Sequence, residues 1–229
     1  MTSARYRPPM NLAKAPTEGA QGKPLLRGVS HQIAFFFALA AAGVLISVAR
    51  GPRATWAAAV YGASLVALLG TSALYHRVQW RPRPREWMRR LDHSAIFVLI
   101  AGTFTPLCLL LPGRRAAIAL ALSWGGAALG VAQSLFWVKA PKPIVAGLCV
   151  VLGWSVFPLL GSIRAASGTL GLELLLAGGV LYSMGALAYA LRRPNPVPGV
   201  FGYHEVFHAL VVLASVCHFG TVQAVVRAL

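Results

Sequence analysis

Seven mainly apolar stretches follow one another along the chain, separated by charged or proline-bearing breaks. Each is close to the about 20 residues that an α-helix needs to cross a hydrocarbon core roughly 30 Å thick. They run from Ser30 to Ala49, Ala54 to Tyr75, Asp92 to Leu111, Arg115 to Trp137, Ile144 to Ile163, Thr169 to Leu191 and His204 to Val226. The pattern predicts an all-α membrane protein, a seven-transmembrane helix bundle over residues 29–229. Residues 1–28 are polar and rich in Pro and Gly, lack the apolar core of a cleavable signal peptide, and read as a disordered cytoplasmic tail. The connecting segments are too short for a second soluble domain, and no solenoid-type repeat is present.

Composition supports that reading. Hydrophobic residues make up 57% of the chain and charged residues 11%, against about a quarter charged in soluble domains. Only five acidic residues face 21 Lys and Arg, a formal charge of +16. The basic residues sit in short clusters between apolar runs, without a basic helix or an aromatic RNA-binding motif, so no nucleic-acid partner is expected. Their distribution instead follows the positive-inside rule: 15 fall on the side of the N-terminus and 6 on the other. This bias predicts a cytoplasmic N-terminus and a C-terminus outside, and its strongest contributor is the RVQWRPRPREWMRR segment. Cys108, Cys149 and Cys217 are scattered in apolar runs without CxxC spacing, and read as packing residues.

Ionisable side chains in or beside membrane spans are costly, so each calls for a partner or a function. The second span ends in Ser72-Ala73-Leu74-Tyr75-His76, where a spacing of four puts the hydroxyl and the imidazole on one face. The third opens with Asp92-His93-Ser94, and the seventh with His204-Glu205-Val206-Phe207-His208, which places two imidazoles on one face. With the N-terminus inside, all three clusters lie at the same membrane depth. Three neutral imidazoles plus water make an open zinc site, and a nearby carboxylate can orient the water or a ligand imidazole.

Each residue also has a structural explanation. Asp92 suits the N-cap of the third span, where it would meet the positive helix end. His76 and His204 could be interfacial residues using an amphipathic ring. His218 lies about 21 Å beyond His204 along the helix, too far to share an ion, and with Ser215 is a candidate cavity-lining residue. His93 points about 100° away from Asp92 and reads as packing, while His31, which begins the first span, reads as interfacial.

The stretches SALYHR (72–77), RLDHSAIFVLIAGTFTPL (90–107) and FGYHEVFHALVVLASVCHF (201–219) resemble the haemolysin III family, the bacterial relatives of the progestin and adipoQ receptors. The wider superfamily also holds alkaline ceramidases. With the seven spans, the resemblance covers nearly all of the chain after the tail. It implies a seven-helix bundle with zinc near the cytoplasmic face, ligated by His76, His204 and His208. Ser72 and Asp92 would hold or activate the zinc-bound water. It also implies a multi-pass plasma-membrane protein, in a bacterium the inner membrane. One departure is visible. Some superfamily members carry a carboxylate a few residues before the Ser, where this chain has Ala67, Leu68, Leu69 and Gly70, which leaves Asp92 as the candidate acid or base.

The function expected from these residues is metal-assisted hydrolysis of a lipid amide or ester, with membrane lipids as the surroundings and a lipid-like molecule as substrate. The alternatives are a zinc-stabilised receptor or membrane-homeostasis protein and the pore-forming cytolysin after which the family is named. The last has little support, because the intramembrane polar residues gather at one depth instead of lining a full crossing. An HExxH metalloprotease with Glu205 as base ranks lowest. The metzincin third-ligand position is occupied by Ala214, and only 21 residues follow His208.

Overall fold

The computed structural model describes residues 24–229, so all but the end of the expected tail lies outside the described residues. The described residues form seven α-helices: α1 (Val29–Val48), α2 (Gly51–Arg77), α3 (Pro82–Cys108), α4 (Gly113–Phe136), α5 (Lys142–Trp154), α6 (Leu160–Leu191) and α7 (Tyr203–Ala228). A 3₁₀ turn, Phe157–Leu159, joins α5 to α6. The described residues include no strand, only an isolated bridge between Val197 and Phe201. Among the described residues, six helical stretches are long and apolar enough to cross a membrane, with Lys142–Leu191 taken as a single stretch of 50 residues.

That stretch is not straight. Gly168 interrupts α6 with φ 72° and ψ −176°, a backbone conformation open to glycine and strained for residues with a Cβ. On either side the chain runs antiparallel: the Trp154 indole donates to the Ser183 hydroxyl at 2.9 Å, and Lys142 Nζ sits 4.7 Å from the Tyr189 ring centre. Pairs 154–183 and 142–189 close around the Gly168 reversal.

The outside of the bundle is apolar. Phe37, Trp56, Leu129, Phe136 and Val216 are all well exposed, the surface that a lipid solvent favours. The inside is organised around α3, against which α2, α4, α5 and α7 pack. Small residues let the backbones approach. A Cβ at Gly102 of α3 would fall 2.1 Å from Ser64 Oγ of α2, so the two helices touch there without room for a methyl group. The buried stripe of α2 passes through Ala54, Ala58, Tyr61, Leu65, Leu68, Ser72 and His76, the spacing of one helix face. Its last two members are the polar pair singled out in the sequence.

The helix α3 starts ten residues before the expected third span. Hydropathy marks only the part of a helix that matches the hydrocarbon core, whereas Pro82, in the first position, is pre-organised for a helix regardless of polarity. The arginine-rich turns before Asp92 are therefore helical, and Asp92 is an interior residue of α3. The N-cap explanation of Asp92 falls, since Arg81 holds that position.

Candidate metal centre

At the Arg77 end of α2, the Tyr203 end of α7 and the first half of α3, the polar residues converge. His76 is buried in α2, His208 is buried in α7, and His204 is one turn before His208 and half-buried. His76 Nε2 lies 3.2 Å from His204 Nε2, and one ligand nitrogen from each of the three rings falls within 4.8 Å of the others. Ring centres are 4.9 Å apart for His76 and His208, and 4.5 Å for His204 and His208. The Asp92 Oδ2 atom is 3.9 Å from His76 Nε2, and Ser72, buried on the same α2 face, neighbours the Asp92 carboxyl.

The donor set fits a metal ion. Two tetrahedral ligands each about 2.0–2.1 Å from zinc stand roughly 3.3 Å apart, close to the 3.2 Å separation of the two Nε2 atoms. Among the described residues, this trio is the group of metal-ligating side chains close enough to share an ion. The sequence placed Ser72, His76, Asp92, His204 and His208 at one depth, and the fold brings all five together.

Glu205, between the two α7 histidines, faces elsewhere. Its carboxylate accepts the Gly202 backbone N–H at 2.8 Å and pairs with the Arg27 guanidinium, so it caps α7 and ties down the segment before α1. It is 2% exposed and does not line the cavity. This occupation removes the positional basis of the HExxH protease reading.

A cavity of about 150 Å³ opens from the histidines into the bundle. His31, Asp92, His204 and His208 line one end, and Leu107 and Leu175 line the other, with His218 and Tyr182 on its wall. From Asp92 to Leu107 the α3 axis advances about 22 Å, so the cavity is long and narrow. His93, expected as packing, lines it too. The His218 Nε2–H donates to the Leu175 carbonyl, 3.1 Å away, well inward of the trio as expected from its position.

The chain belongs to the haemolysin-III related family. That family's profile matches residues 20–219. The haemolysin III relatives include a hemolysin-3 homolog of Bacillus subtilis (strain 168), 28% identical over 199 residues that cover 85% of this chain and 90% of the relative. Hemolysin-3 of Bacillus cereus is 33% identical over 161 residues, 70% of each chain. A shorter match joins the family to a eukaryotic receptor group: the ADIPOR-like receptor IZH2 of Saccharomyces cerevisiae is 38% identical over 88 residues, 34% of this chain and 28% of the relative. The protein is thus an integral membrane member of the haemolysin III family, related to adiponectin-type receptors, with a histidine trio able to hold a metal ion.

One residue of the centre was misjudged in the sequence. His31, expected at the interface, is 2% exposed, and its ring stacks on His208 with centres 3.8 Å apart and planes 6° from parallel. The buried positions of α1 are His31, Ala38 and Leu45, a spacing of seven. Because the neighbours of these residues are almost all apolar, no polar contrast marks that face. The turn before it is held as well. Leu25 and Leu26 donate their backbone N–H groups to Gly199 and Val200, and a Cβ at Gly28 would lie 2.6 Å from His76 Cβ.

Proposed function

We propose that this protein is a zinc-dependent hydrolase of a lipid amide or ester, with seven membrane crossings, a cytoplasmic N-terminus and an outside C-terminus. The observation that carries the reading is the juxtaposition of three imidazoles and the Asp92–Ser72 pair at the end of a long apolar cavity. His76, His204 and His208 would hold the metal. A zinc ion bound there supplies a Lewis acid and brings the acidity of water into the neutral range. The Asp92 carboxylate accepts a proton from the attacking water, and the Ser72 hydroxyl orients that carboxylate. The cavity wall from Ile96 to Leu107 receives the hydrocarbon chain and keeps bulk water away. The basic cytoplasmic loops and the bacterial relatives favour residence in a plasma membrane, in bacteria the inner one.

The test is metal analysis of wild type and of His76→Ala, His204→Ala and His208→Ala, paired with hydrolysis assays on lipid amides and esters. Metal retained by all three variants would end the site assignment. Stoichiometric zinc without turnover of any lipid would end the hydrolase reading. A receptor or membrane-homeostasis role, in which zinc only ties α2 to α7, is favoured by the ADIPOR-like relative. It predicts that metal removal lowers stability and abolishes no chemistry.

A further inference from the structure

Metal-ligating histidines are usually held in plane by a hydrogen bond from the second ring nitrogen to a carboxylate or carbonyl, and losing that partner costs about 10- to 100-fold in metal affinity. His208 lacks this device: its Nδ1 is buried and makes no hydrogen bond. Rotation about the last side-chain bond of histidine is soft and broad, so something else must fix the ring plane. Among the described residues, the parallel ring contact it makes is with the face of His31, 3.8 Å away with planes 6° apart. Its contacts with His76 and His204 are steeply inclined, at 62° and 57°, and edge contacts of that kind leave the plane freer to turn.

His31 is itself well anchored. It lies one turn beyond Gly28, which packs against His76, and Arg27, which pairs with Glu205. Its own nitrogens are also buried without a hydrogen bond of normal geometry, although the backbone of His208 is approached. What His31 gives the centre is therefore its flat face, which a phenyl ring supplies equally well. We propose that His31 is a positioning residue: stacked on His208, it sets the plane in which that imidazole meets the metal, so that α1 shapes the centre without giving it a ligand. This inference rests on the trio being a metal centre.

The experiment is titration of purified full-length protein with zinc alone and with cobalt(II), whose ligand-field absorption reports ligand geometry. The melting temperature in chelator is measured alongside. His31→Ala and His31→Leu are expected to bind zinc about 10- to 100-fold more weakly and to show an altered cobalt spectrum. His31→Phe should stay within about threefold of wild type and melt no lower in chelator, since it removes two unbonded buried nitrogens. Wild-type affinity in His31→Ala or His31→Leu overturns the proposal, and so does a loss in His31→Phe as large as theirs. Should His31→Ala fail to fold, His31→Leu and His31→Phe carry the comparison. A wild-type protein that takes up neither metal ends the metal-centre reading and this inference with it, whereas unchanged variants of a metal-binding wild type end this inference alone.

Discussion

Arg27 and Glu205 form an ion pair across 178 positions of sequence, joining the turn before α1 to the first turn of α7. Because Glu205 also accepts the Gly202 N–H, its carboxylate has structural work and is turned from the histidines on either side. Asp92, by contrast, lines the cavity beside His76. Replacing the two acids should therefore have opposite consequences. Glu205→Ala removes a cap and strands a part-buried guanidinium, at a cost of about 1–3 kcal/mol in stability, while zinc content and kcat on a lipid substrate stay near wild type. Asp92→Asn should keep its zinc and lose about 10²- to 10⁴-fold in kcat. Loss of turnover in Glu205→Ala with Asp92→Asn active would reverse the assignment.

Zinc shared by α2 and α7 should also hold the bundle together. A ligand that binds only the folded state, present at a thousand times its Kd, stabilises that state by about 4 kcal/mol. At roughly 2–4 °C per kcal/mol for a chain of this size, chelation should lower Tm by on the order of 10 °C. His204→Ala should show the low Tm with or without chelator. Equal melting of metal-loaded and stripped wild type would remove the metal from the stability of the fold.

Gly28 permits a close approach that the centre depends on. Its φ is 80° and a Cβ would lie 2.6 Å from His76 Cβ, so Gly28→Ala meets both a backbone penalty of about 1–2 kcal/mol and an overlap costing about 1–3 kcal/mol. The overlap is relieved by moving His76. The variant should therefore be less stable and bind zinc at least several-fold more weakly, measured by Tm and by metal titration. Gly43→Ala, where a Cβ meets nothing within 4 Å, is the control and should leave zinc affinity unchanged.

Most of the centre was legible because polarity is rare in these spans. Ser72, His76, Asp92, His204 and His208 each stand out against apolar neighbours, and the charge bias predicts one depth for all five. The helix α3 was legible only in part, since its first ten residues are helical without being apolar. His31 was legible as polar but not as buried, because α1 has no polar face to show which side turns inward. The role of Glu205 was hidden for a different reason: HExxH spacing does not reveal that Arg27, far away in sequence, and the Gly202 N–H claim the carboxylate.

The reversal at Gly168 decides how many times the chain crosses. If residues 142–167 and 169–191 cross separately, as the Trp154–Ser183 and Lys142–Tyr189 pairs favour, the crossings number seven and Leu229 lies opposite the N-terminus. If the whole stretch counts once, the two termini share a side. Alkaline phosphatase, active only outside the cytoplasm, separates these cases when fused after successive positions. Fusions after Lys139 and Arg193 should be inactive, and fusions after Ala166 and Leu229 active. An inactive fusion after both Ala166 and Leu229 would exclude the seventh crossing. It would also break the argument that Arg164 and Arg227 lie on the sparsely charged side of the membrane. The histidine trio would survive that outcome, since its contacts join α2 and α7 directly and do not depend on how α5 and α6 are threaded.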